Sequence, residues 1–129
     1  DIATIKPVVN EVEIHPLLTQ EPLIEFCKSN DIKMIAYSPL ARMAPELINN
    51  NIIHKLAEKY KKSNSQIILR WDFQHGYITI PKASKKDHLL SNISILDFEL
   101  SNYEMSEIDG LNMNKRFRHN PDTCDFTKL

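Results

Sequence analysis

An α/β fold organised on a parallel sheet is predicted by three features of this sequence. Short β-branched or aromatic runs at residues 7–14, 33–37 and 77–80 alternate with longer segments whose apolar residues recur at three- and four-residue spacing. The segments between those runs are long enough to carry helices, so successive strands pair in parallel through right-handed crossovers. The second and third runs each end at a proline, Ser38-Pro39 and Ile80-Pro81, which denies the ladder a donor and stops the strand. A closed barrel of eight strand–helix units needs roughly 250 residues. Three units in 129 residues therefore predict part of a (β/α)8 barrel, without enough chain to close it alone.

Taken in order, the first strand is carried by Val8, Val9, Val12 and Ile14 and interrupted by Asn10, Glu11 and Glu13. Such polar groups belong at an edge, near a mouth or in a site, because a strand covered on both faces is nearly all apolar. Thr19 is expected to cap a helix with Pro22 in its first turn and an apolar face of Leu23, Phe26 and Cys27. After the strand at residues 33–37, residues 39–49 show no clean period and contain a proline, which predicts a loop. A helix from Asn51 places Ile53, Leu56, Ala57 and Tyr60 on one stripe and lysines and Glu58 on the other. Ser65 is expected to cap the next helix, which carries Trp71 as a packing residue and ends at Gly76 in the left-handed conformation. Near the end, Leu100 and Met105 flank a Ser101–Glu104 capping box, and Gly110 closes that short helix. The basic, aromatic stretch from residue 115 to 129 has no period and reads as a tail draped over the rest, set apart from a 1–114 barrel segment.

Composition narrows the function classes. The chain is 42% apolar and 26% charged with a net charge of -1, so no global basic field recruits nucleic acid or anionic membrane. No run of about 18 apolar residues predicts a membrane span, and no secretory leader is visible, which predicts a cytoplasmic protein. Two distant cysteines without a CxxC, and five scattered histidines, favour free thiols and no metal. Residue 1 is Asp rather than Met, and the first strand begins within about seven residues of it; further chain upstream or a processed start accounts for this equally.

The stretch most suggestive of a ligand is residues 77–92. The strand stops at Pro81, Lys82 follows, and a Ser84–Asp87 capping pair ahead of Leu89 and Leu90 predicts a helix N-terminus. Lys82, Lys85, Lys86 and His88 then gather where unpaired N–H groups favour a phosphate. A lysine-rich turn is usually a solvated surface. Position argues otherwise here, since ligands in parallel α/β sheets bind at the carboxyl ends of strands. With only Gly76 and Gly110, the chain holds no GxGxxG or P-loop motif.

Three segments in this order, Val9-Asn10-Glu11-Val12-Glu13-Ile14-His15-Pro16, Ala36-Tyr37-Ser38-Pro39-Leu40 and Ile80-Pro81-Lys82 followed by Asn92 and Asp97-Phe98-Glu99-Leu100, resemble the aldo-keto reductases over residues 6–114. Each segment is weak alone; in register and in order they are specific. The resemblance implies the C-terminal half of a (β/α)8 barrel, its last three strands and helices, binding NADPH in extended form without a Rossmann motif and reducing aldehydes and ketones. It implies that Tyr37 stacks on the nicotinamide ring, that Ser38 and Leu40 approach the pyrophosphate, that Lys82 pairs with the adenosine 2′-phosphate and that Asn92 meets the adenine edge.

The departures from the family pattern shape the expectation. Glu11 stands where the family has glutamine; a carboxylate only accepts, so Glu11 is expected to take the carboxamide NH2 and to favour the oxidised, positively charged ring. Ala83 replaces the family's phosphate-binding serine and His88 its arginine, which leaves NADH open as an alternative to NADPH, with Lys85 or Lys86 as substitute point charges. The family's catalytic tyrosine, aspartate, lysine and histidine come from earlier strands, so no catalytic residue is assigned here. Two functions follow: the cofactor-binding side of a reductase acting on a small carbonyl substrate, or a non-catalytic truncated barrel serving as a nucleotide-binding or assembly module. Arg42, Arg116, Phe117 and Arg118 are candidate substrate-pocket residues. Two bare sheet edges and an uncovered barrel lining predict self-association or a completing half.

Overall fold

The computed structural model describes residues 4–125 and residue 127. In chain order it contains β1 (Val9–Glu13), α1 (Glu21–Ser29), β2 (Lys33–Tyr37), a 3-10 turn (Ala41–Met43), α2 (Pro45–Ile48), α3 (Asn51–Tyr60), α4 (Asn64–Gln74), β3 (Ile78–Thr79), α5 (Lys86–Ile93) and α6 (Asn102–Asp109). The strands lie in the order β1-β2-β3 and both pairs are parallel. Register sets Glu11 beside Ile35, Glu13 beside Tyr37 and Ile35 beside Ile78.

Because side chains alternate along a strand and parallel partners share a face, the sheet has two unlike sides. One carries Asn10, Val12, Met34 and Ala36 and is covered by helices: Met34 and Ala36 are buried, and Asn10 donates to Cys27 Sγ on α1 at 3.8 Å. The other carries Val9, Glu11, Glu13, Ile35, Tyr37 and Ile78; Val9 and Ile78 are exposed and leave it largely bare, while Glu13 at its carboxyl end is buried. That bare side corresponds to the lining of a barrel.

The helical layer is built by local signals that agree with packing. Asn50 accepts from Ile52 N–H at 2.9 Å and starts α3, whose Ile53, Leu56 and Ala57 enter the core. Ser63 and Gln66 form a capping box for α4, which buries Ile67, Ile68 and Trp71. Trp71 is a core residue, and its indole N–H donates to Asp109 at 2.7 Å, which ties α4 to α6. Gly76 adopts φ 79, as expected for the residue ending α4. The Ser101–Glu104 box on α6 forms with both of its bonds, and Ile108 is fully buried.

Several expectations are corrected. The residue before α1 is Gln20 at φ 55, not Thr19, and it makes no side-chain cap; Thr19 instead is buried, its N–H donating to Asn112. On α1 the core takes Ile24 and Cys27 while Phe26 is left exposed. The cap of α4 is Ser63, two residues before Ser65. Residues 39–49 are not a plain loop: Ala41, Ala44 and Leu47 are pulled into the core, and that anchoring imposes the 3-10 turn and α2. The Ser84–Asp87 pair does not cap α5, which begins at Lys86 after an extended Lys85 with no side-chain cap.

Candidate functional site

Parallel pairing sends the carboxyl ends of β2 and β3 to the same edge of the sheet, and a cleft of about 760 Å³ opens there. One wall is the segment after β2. Ser38 takes φ 49, and Ala41, Arg42 and Met43 take φ 47, 55 and 62, so four non-glycine residues hold the left-handed region within six positions. Each such residue costs about 1 kcal/mol, and the turn is fixed by bonds from Ala41 N–H to Ser38 O at 2.8 Å and from Met43 N–H to Leu40 O at 2.7 Å. Strained backbone of this kind concentrates at ligand sites. The opposite wall is Pro81, Lys82 and Ser84 followed by α5, and the start of α4 closes one side with Ser63 and Ser65.

The residues singled out from sequence separate into two groups. Ser38, Leu40, Lys82, His88 and Asn92 all line the cleft, though the last three lie 44 or more positions along the chain from Ser38. Glu11 and Tyr37 do not line it. Tyr37 is half-buried on the bare face of β2, directly before Ser38, and Glu11 is exposed on the same face of β1. The cations Lys82, Arg42 and Arg118 line the cleft and, among the described residues, no carboxylate does, so its potential favours an anion. Of the tail residues, Arg118 lines the cleft, as does Arg42, whereas Phe117 packs on His15 and Arg116 donates to Gln20 at 3.3 Å.

The sequence reading missed how the tail is held. Glu13, at the carboxyl end of β1, is fully buried; its carboxylate accepts the backbone N–H of Phe117 at 2.8 Å and of Arg118 at 3.1 Å. His15 Nε2 lies 3.2 Å from the same carboxylate. Burial lowers the His15 pKa, although the neighbouring Glu13 works in the opposite direction. The contact suits an Nε2–H donating to the carboxylate, and among the described residues the buried Nδ1 has no partner. The polar interruption at Glu13 was the available signal; its partner, more than a hundred residues away, was not.

Among the described residues, no group of three or more His, Cys, Asp and Glu side chains is placed to hold a metal, and no helix is long and apolar enough to cross a membrane. Cys27 and Cys124 are both free.

Three parallel strands, covered on one side by helices and ending in a cationic cleft at their carboxyl ends, have the form of a segment of a (β/α)8 barrel. The aldo/keto reductase family model matches residues 2–113, and the chain belongs to that family. It is 49% identical over 124 residues to glyoxal reductase of Bacillus subtilis (strain 168), covering 96% of this chain and 44% of that relative. The solved aldo-keto reductase from a Medee basin deep-sea metagenome library superimposes with a TM-score of 0.92 at 32% identity, over 97% of this chain and 46% of that one. A Bombyx mori aldo-keto reductase solved in complex with NADP does so with a TM-score of 0.84 at 35% identity, over 94% and 42%. This chain thus spans less than half the length of the proteins it matches, and within them it corresponds to part of a (β/α)8 barrel.

Proposed function

We propose that this chain is the cofactor-binding side of an NAD(P)H-dependent aldo-keto reductase, acting on a small aldehyde or ketone. The carrying observation is the convergence of Ser38, Leu40, Lys82, His88 and Asn92 on one cleft at the carboxyl ends of β2 and β3. The donor set fits a phosphorylated dinucleotide. Lys82 would be a point charge for the 2′-phosphate, the Ser38 hydroxyl and Leu40 backbone N–H would donate to the pyrophosphate, and the Asn92 amide would offer both a donor and an acceptor to an adenine edge. His88 stands beside the phosphate end as a ring that stacks or donates. Tyr37, on the bare face next to Ser38, presents a flat apolar surface against which a nicotinamide ring is held, and Glu11 accepts from its carboxamide.

When bound, NADPH supplies a hydride. What these residues would contribute is orientation: Tyr37 would hold the ring plane and the cleft residues the distal phosphates. No residue here is assigned to donate the proton that a developing alkoxide needs, a contribution commonly worth several kcal/mol. The 129-residue chain alone is therefore expected to bind without measurable turnover of an aromatic aldehyde. A second reading, a nucleotide-binding or assembly module, is favoured by the bare sheet face with Val9, Ile78 and Ile80 about half exposed. Calorimetric titration with NADPH and with NADH tests the proposal. Saturable binding of NADPH, tighter than NADH, supports it, and no binding of either cofactor refutes it.

A further inference from the structure

We propose that Arg118 is an anion-binding residue that closes the cleft from the tail side, and that Glu13 is the positioning residue that holds it there. This rests on the cleft being a dinucleotide site and adds to it a specificity determinant from a part of the chain without secondary structure. Arg118 lines the same cleft as Lys82 and Ser38, reaching it from the tail rather than from either strand. Its backbone is not free to drift. The fully buried Glu13 carboxylate takes the N–H groups of both Phe117 and Arg118, the Phe117 ring lies 5.6 Å from the His15 ring, and Arg116 is tied to Gln20.

A buried carboxylate that accepts two consecutive backbone N–H groups and a ring N–H is satisfied on both oxygens, and withdrawing any donor leaves a costly uncompensated charge. The tail segment is thereby pinned to the end of β1, and Arg118, itself exposed, is held on the lining of a cleft to which Lys82 brings an ammonium. A guanidinium pairs with a phosphate through two parallel bonds where an ammonium acts as a point charge. Arg118 adds from the tail a second planar, bidentate group to that of Arg42 on the turn after β2, where Lys82 offers only a point charge.

The test is calorimetric titration of the whole chain with inorganic pyrophosphate and, separately, with NADPH. Arg118→Met is expected to weaken both ligands about tenfold and to flatten the salt dependence, and Arg118→Lys to recover only part of the loss. Glu13→Gln is expected to weaken both ligands in the wild-type background and to add nothing to Arg118→Met, because the two act as one unit. Should Glu13→Gln not fold, Phe117→Ala loosens the same segment without altering the buried charge and is expected to show the same non-additivity. Unchanged affinities in Arg118→Met, or additive effects of the pair, overturn the inference while leaving dinucleotide binding intact. Pyrophosphate binding that depends on Arg118, without NADPH binding, upholds the anion site and removes the dinucleotide reading. Binding of neither ligand removes both.

Discussion

Helices α5 and α6 have eight residues each, follow one another in the chain and are built on opposite terms. α6 starts at a complete capping box, buries Ile108, and sends Glu104 inward to accept from Lys59 at 2.6 Å and Tyr60 at 2.7 Å. α5 has no side-chain cap and no buried residue, and Leu89, Leu90 and Ile93 are at least half exposed. It is held by the Gln66 amide of α4, which donates to the Ser91 and Ser94 carbonyls, and its end by Lys62 from the link between α3 and α4, which reaches the Ser94 carbonyl and Asp97. The helix that locks the core together contributes no residue to the cleft lining, while the one that forms a cleft wall carries His88 and Asn92 on a helix with no buried residue. Ligand sites drawn from the low-stability end of a structure behave this way.

The contrast can be broken most strongly at Glu104. Burial raises its pKa, but the bonds from Lys59, Tyr60 and the Ser101 backbone prevail and hold it at about 2, below its ordinary 4.5. Glu104→Ala is expected to destabilise the chain by about 3 kcal/mol, read from urea unfolding. Since the folded-state value is depressed, this stabilisation is complete above pH 4.5 and is lost as pH falls toward 2.

Asp72 works with the opposite sign. Both of its carboxylate oxygens are buried without a partner among the described residues, and burial raises its pKa well above the ordinary 3.8. Its proton is held more tightly in the folded state, so stability falls as pH rises from 3.8 toward the raised value. Asp72→Asn is expected to remove that slope and to stabilise the chain by about 1–2 kcal/mol at pH 8, measured as a thermal shift. Ser101→Ala, which deletes the cap of α6, is expected to cost about 1 kcal/mol. Leu90→Ser on α5 is expected to change stability by less than about 0.5 kcal/mol; a loss comparable to that of Glu104→Ala would erase the distinction between the two helices.

Legibility in the sequence followed the same division. β2 was readable to the residue, and so were the starts of α3 and α6, because strand composition, Asn50 and the Ser101–Glu104 box agree with what the core requires. Ser84 and Asp87 have the right spacing for a cap but no packing to pin the helix they would start, so α5 begins two residues later. The turn and short helix between Ala41 and Ile48 were invisible to periodicity, since they arise from Leu47 and Ala44 being drawn into the core and from Asn64 donating to the Ile48 carbonyl at 2.6 Å. Five cleft residues were legible through the family resemblance, and their convergence is a property of parallel pairing. The delivery of Arg118 was not legible, because it depends on a carboxylate 105 positions earlier in the chain.

Amide hydrogen exchange of α5 and α6, with and without saturating NADPH, tests the central claim most directly. If the cleft between the β2 turn and α5 grips a dinucleotide, exchange slows across residues 82–92 while the already protected amides of α6 keep their rates. Unchanged exchange along α5 at a concentration where NADPH is bound, or slowing confined to α6, would contradict it.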